Sequence, residues 1–105
     1  MGKPKVLKYG GNDKQFLQQI KEAATLLRHA SNTTRLQIIL MLSNREMNVG
    51  EVCRELDMSQ GVVTYHLEFL SYGGIVDPRR QGARYFYSLT ERGDLLVGLV
   101  KKISA

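Results

Sequence analysis

The chain has one cysteine, no tryptophan and two prolines in 105 residues. A single thiol cannot close an intrachain disulfide or furnish a multi-cysteine zinc site, so a disulfide framework is excluded and a reducing interior fits. No apolar run approaches the roughly 18 residues of a membrane span. The opening Met1-Gly2-Lys3-Pro4-Lys5-Val6 is basic but lacks the apolar stretch of a signal peptide. These absences predict a cytoplasmic protein without membrane association. Catalytic constellations are also missing: no paired carboxylates with an evident pocket, no nucleophile beside a base, no phosphate loop. The sequence therefore predicts neither an enzyme nor a bound cofactor.

What remains is a chain of ordinary globular composition, 43% hydrophobic and 24% charged. Its length fits one domain, and a small domain buries less of its surface than a large one, a shortfall that dimerisation would relieve. The net charge of +5 suits a polyanionic partner. Residues 1–30 carry six Lys or Arg against two acids, residues 31–58 three against four, and residues 59–105 six against four. Half of that last group is Arg79, Arg80 and Arg84. The basic excess therefore lies in the first arm and helix and in one later segment. For the scattered lysines, solubility is the plainer reading.

Pro4 and the pair Gly10-Gly11 predict a flexible basic arm over residues 1–12. Phe16, Ile20, Ala23, Ala24 and Leu27 then recur at helical steps and predict a helix over 13–30 with Asp13 at its cap. His29 stands near its C-terminal end, where a cation favours the helix dipole. Ser31 to Thr34 is a run of capping residues. The stretch 35–43 is apolar nearly all round, which marks a helix buried on most sides. Residues 44–48 read as a turn and a brief extended piece. Val49, Val52, Cys53 and Leu56 form one face of a short amphipathic helix over 49–57.

The following helix, 59–72, begins at a Ser59 cap. Val63, Leu67 and Leu70 form its apolar face, with Val62 and Phe69 beside them. Gln60, Gly61, Thr64, Tyr65 and Glu68 lie opposite. Gly73-Gly74 stops it. Ile75-Val76 and the run 85–89 read as strands, with 77–84 between them as a basic hairpin tip. Thr90 is a possible cap for a last helix, placed at 94–103 by Leu95, Leu96, Leu99, Val100 and Ile103.

Helix, tight turn, helix and charged hairpin form the layout of a winged helix-turn-helix, a mainly α (α+β) fold of about five helices with one β-hairpin wing. Residues 13–105 would make the DNA-binding and dimerisation domain. A helix that reads bases must be short, anchored at its back, and lined on its exposed N-terminal side with donors and acceptors. Gln60 can pair with adenine through two atoms, Thr64 can donate, accept or offer a methyl, and Tyr65 can reach a phosphate or base edge. The guanidinium groups of Arg79, Arg80 and Arg84 suit phosphate oxygens or a minor groove. Ser59 and His66 complete the expected backbone contacts, although His66 could equally be a packed, hydrogen-bonded histidine.

At these residues the chain resembles the ArsR (ArsR/SmtB) family of winged-helix repressors. Asn32-Thr33-Thr34-Arg35-Leu36 is similar to the family's Asp-Pro-Thr-Arg-Leu, with Thr33 in place of proline. Residues 51–56 resemble the first helix-turn-helix element. Residues 58–67 resemble Leu-Ser-Gln-Pro-Thr-Val-Ser-Arg-His-Leu, with Gly61 replacing proline and Tyr65 replacing arginine. Residues 79–87 resemble the wing pattern. The resemblance implies a homodimer built from helices 13–30 and 94–103, double-stranded DNA with a palindromic operator as partner, and repression relieved by an effector.

The departures narrow that expectation. Where metal-sensing members carry a Cys-x-Cys pair, this chain has Asn48 and Gly50. The last segment, 91–105, holds Glu91 and Asp94 but no histidine. No transition-metal site of either kind is expected, and the sequence names no effector. Thiol-switch members need two cysteines, so Cys53 reads as an inert core thiol, with single-thiol redox sensing as the rival. Gly61 and Tyr65 also leave room for a winged-helix interaction module without specific DNA binding.

Overall fold

The computed structural model describes residues 13–105. The arm expected over 1–12 lies outside the described residues. Eight elements follow in order: α1 (Asp13–Ala30), α2 (Thr33–Leu42), β1 (Met47–Asn48), α3 (Val49–Leu56), α4 (Gln60–Tyr72), β2 (Val76–Gln81), β3 (Arg84–Leu89) and α5 (Glu91–Ile103). This is a winged helix-turn-helix, mainly helical.

Helix α2 is the hub because it has apolar residues on every side. Ile38, Ile39 and Leu42 are buried, while Leu36, Leu40 and Met41 pack on the margins of the same core. Asn32 caps it, its side-chain oxygen accepting from Arg35 N at 3.0 Å. Around α2 gather Val52 of α3, Val63, Leu67 and Leu70 of α4, Ile75 and Val76 at the wing base, Tyr87 of β3, and Leu96 and Val97 of α5.

The turn between the two helix-turn-helix elements is three residues long. Asp57 closes α3 in the left-handed region at φ 52°, a conformation that Asp tolerates better than most residues. Met58 N then donates to Cys53 O at 3.2 Å. Ser59 opens α4 in extended backbone and accepts from Val62 N at 3.4 Å. At the other end of α3, Asn48 and Glu51 form a reciprocal capping box, each side chain bonded to the other's backbone N–H at 2.9 Å.

The strands form one antiparallel sheet in the order β1-β3-β2. The hairpin differs from the expected strand pair with a long basic tip over 77–84. Pairing continues from Val76↔Leu89 to Gln81↔Arg84, so Arg79, Arg80 and Arg84 are strand residues and only Gly82-Ala83 forms the loop. Gly82 adopts φ +62° at the first central position, as a two-residue type II′ turn requires. Pro78 reads as a breaker in sequence, but β2 is an edge strand, where a missing N–H costs no ladder bond. The last helix also starts earlier than the expected residue 94. Thr90 caps it at Gly93 N, and the Thr90 hydroxyl donates to Gly74 O (2.6 Å) and Ile75 O (3.0 Å), docking the helix start on the wing base.

Helix α1 stands apart from this core. Only Ala30, at its end, is buried, and Leu17, Ile20 and Leu27 are each at least 40% exposed. Helix α5 likewise turns Leu95, Leu99 and Ile103 outward, with Leu95 and Ile103 at 70% and 75% exposure. Both helices therefore carry large apolar side chains that this core leaves uncovered.

Candidate nucleic-acid interface

The core stripe of α4 fixes where its other faces point. With Val63, Leu67 and Leu70 fully buried, Gln60, Thr64 and Glu68 fall on one flank at steps of four residues. That flank forms a wall of an open groove of about 770 Å³. Asn48, Gly50 and Arg54 from α3 and its cap line the second wall. Pro78, Tyr85 and Arg84 from the wing line the third. The start of α4 therefore shares this groove with Arg54 from α3 and Arg84 from the wing.

The structure distributes the expected residues unequally. Gln60 and Thr64 line the groove. Tyr65 lies beside it on the outward side of α4, 60% exposed, with its ring packed edge-on to His66 at 5.4 Å and stacked near Phe69 at 6.2 Å. The Ser59 hydroxyl is occupied in capping α4. His66 is half-buried and its Nδ1 faces Arg35 Nη1 at 3.4 Å. Burial first, and then the Arg35 charge, hold its pKa below the ordinary histidine value. The packed-histidine reading therefore describes its surroundings.

The three wing arginines also separate. Residues directly opposite in a ladder share a face, so Val76, Pro78 and Arg80 lie with Leu89, Tyr87 and Tyr85 on the core and groove side. Arg79 lies on the other face, over Phe86 at 5.5 Å, ion-paired with Glu46 and bonded to Gln81 Oε1 at 3.1 Å. Arg80 Nε turns back to Gly82 O at 3.1 Å. Arg84, opposite Gln81 and so on the Arg79 face of the ladder, nevertheless lines the groove at the turn, whereas Arg80 is not among its lining residues.

The groove also takes in residues that the sequence did not single out as site residues, among them Asn48, Arg54, Pro78 and Tyr85, together with Glu68. Glu68 was visible at its four-residue step from Thr64. The others come from elements whose approach depends on the β1–β3 pairing. Tyr87 is buried, and its hydroxyl pKa is raised by burial, then by Glu68 and Tyr85. Cys53 is half-buried against the core on the inner flank of α3. Among the described residues, no three His, Cys, Asp or Glu side chains come together as a metal site would need.

Comparisons with known proteins converge. The family described as bacterial regulatory protein, arsR family, matches residues 32–77, from the α2 cap to the wing. HlyU, a transcriptional activator of Vibrio cholerae, is 38% identical over 69 residues, 66% of this chain and 64% of that protein. The biofilm growth-associated repressor of Agrobacterium fabrum is 37% identical over 70 residues, 67% of this chain and 60% of that protein. The matched segment thus spans less than two thirds of either relative. The solved structure of Vibrio cholerae HlyU superposes with a TM-score of 0.75 at 32% identity, covering 84% of this chain and 98% of that one. A Mycobacterium bovis domain, described as a homodimeric winged helix-turn-helix DNA-binding domain, superposes with a TM-score of 0.79 at 26% identity, covering 90% of this chain and 88% of that one.

Proposed function

Because the chain belongs to the ArsR family of bacterial transcriptional regulators, we propose that it works as a homodimer on a palindromic operator. Gln60 and Thr64 read base edges from the groove flank of α4, and Tyr65 reads from its outward side. Arg80 and Arg84 hold the backbone from the wing, and Arg54 does so from α3. Ser59 contributes through the exposed backbone of the helix start. Arg79 acts indirectly, keeping the wing against Glu46.

The observation that carries this reading is the groove itself. It places an anchored helix, with amide and hydroxyl side chains on its free flank, between Arg54 and Arg84. The uncovered apolar faces of α1 and α5 supply the natural seat for a second subunit, and the similar Mycobacterium bovis domain is described as homodimeric. In the dimer, the two α4 helices would stand about one DNA turn apart, roughly 34–36 Å. The regulator acts in the cytoplasm, where its DNA is; no described helix is long and apolar enough to cross a membrane. Repression by occupying the operator is the mode proposed, although both signs of regulation occur among the relatives.

Selection of the purified protein on random double-stranded DNA tests this directly. One enriched palindrome is expected, and no enrichment would refute it. Gln60→Ala should relax the preference at one base-pair position, at a cost of about 1–3 kcal/mol. Arg84→Ala should weaken every sequence alike and shallow the salt dependence by about 0.9 per lost phosphate contact.

A further inference from the structure

Side chains from three helices converge where the end of α1 meets α2 and the outer flank of α4. Arg35 is at the centre. Its Nε donates to the His29 carbonyl of α1 at 2.6 Å, its Nη1 stands 3.4 Å from His66 Nδ1 of α4, and its guanidinium carbon lies 4.4 Å from the centre of the Phe69 ring. The His29 ring stacks on Phe69 at 4.5 Å and is held by a 2.8 Å bond between its Nδ1 and Thr25 O. The end of α4 closes on the same ring: a Cβ at Gly73 would stand 2.7 Å from His29.

Two features show that this is not an ordinary ion pair. The ion pairs among the described residues are Arg45–Glu51 and Arg79–Glu46, and Arg35 joins neither. It is half-buried, and its charge is met by a carbonyl, an imidazole and a π face instead of a carboxylate. Moreover, α1 buries little else. Its apolar residues Leu17, Ile20 and Leu27 each keep 40–49% of their surface exposed. The direction in which α1 leaves the core is therefore set at its last turn.

We propose that Arg35 is a positioning residue that clamps α1 to α4 and thereby selects the spacing between operator half-sites. The proposal rests on the homodimeric operator-binding reading above. Helix α1 has 18 residues and is therefore about 27 Å long. A tilt of about 10° at its clamped end moves the far end by roughly 5 Å, more than the rise of about 3.4 Å per base pair. A small change at Arg35 would be amplified along the dimer helix into a different distance between the two reading helices. Planarity matters here: a lysine keeps the charge but cannot donate to His29 O and lie flat over Phe69 together.

The test uses the full chain and the operator recovered by selection, rebuilt with spacers one base pair shorter and longer. Wild type should prefer its best spacer at least about tenfold. Arg35→Lys and Arg35→Gln should flatten that preference to below about threefold, while affinity for a single half-site duplex stays within about twofold of wild type. If the Arg35 variants melt below the assay temperature, Phe69→Leu, which keeps the arginine and removes the π face, is judged by the same ratio. A wild-type spacer preference retained in the variants overturns the clamp and leaves operator binding intact. A uniform drop across all spacers and the half-site also overturns it, because that pattern is a lost phosphate contact. If wild type shows no preferred sequence, the operator reading fails and the clamp fails with it.

Discussion

Gly93 tests the packing of the last helix most sharply. A Cβ added there would stand 2.6 Å from the Ile75 carbonyl oxygen and 2.8 Å from Leu89 Cδ2. Ordinary contact begins near 3.4 Å, so α5 or the wing base must move by about 0.8 Å. The nearest atom is backbone, so no side-chain rotation relieves it. The same carbonyl accepts from Thr90 N and from the Thr90 hydroxyl, both at 3.0 Å, and a shift weakens both bonds. Overpacking costs about 1–3 kcal/mol and a weakened hydrogen bond about 0.5–1.5 kcal/mol. Replacing glycine by alanine within a helix returns about 0.5–1 kcal/mol. The expected net loss for Gly93→Ala is about 2–3 kcal/mol, a fall in Tm of roughly 10–20 °C for a domain of this size. Thermal melts followed by circular dichroism, at one fixed protein concentration, measure it. Gly61→Ala is the matched control, since nothing lies within 4 Å of the added carbon; its Tm should hold or rise by a few degrees. A Gly93→Ala protein that melts at or above wild type, or a Gly61→Ala protein that falls as far, would refute the reasoning.

Removing the capping box by Asn48→Ala should cost about 1 kcal/mol, read as a lower urea midpoint; Glu51→Ala made on top should add less than it does alone, because both break one reciprocal pair. For His66, the folded pKa lies below the unfolded one, so the unfolded chain takes up the proton first. Stability should therefore fall as pH drops from about 7.5 to about 5.5 and level off below the folded pKa; if His66→Gln shows the same decline in urea titrations, this origin is wrong. Leu95→Glu with Ile103→Glu changes two residues that are at least 70% exposed, so secondary structure should survive while sedimentation reports a monomer. A dimer of unchanged mass would remove α5 from the interface.

Much of the helical framework was legible in sequence because strong local signals agree with the tertiary answer. The 13–30 stripe, the all-round apolar α2 and the Gly73-Gly74 stop each had one reading. The wing was harder. Pro78 and three charges in six residues suggest a loop, and only the open edge of β2 lets them lie in a strand. The Thr90 cap of the last helix was legible, but its second task, reaching carbonyls 15 and 16 residues away, was not. Within the site, Gln60 and Thr64 followed from helical steps alone. The separation of Arg79 from Arg80 needed the strand alternation, and its pairing with Glu46 spans 33 residues. The surroundings of His66 needed Arg35, 31 residues distant.

Asn48 belongs to two structures at once. Its backbone lies in β1 opposite Phe86, and its side chain closes the first turn of α3. The wing and the helix pair therefore do not behave as exchangeable modules. A wing grafted from a relative would bring new residues at positions 86 and 87 but would have to pair with the resident Met47 and Asn48. A poor match there would disturb the start of α3, outside the grafted segment. Chimaeras that carry residues 47–48 together with 76–89 should tolerate exchange better than those cut at the hairpin. In evolution, wing and reading head would drift as a linked pair, with the two-residue strand as the constraint between them.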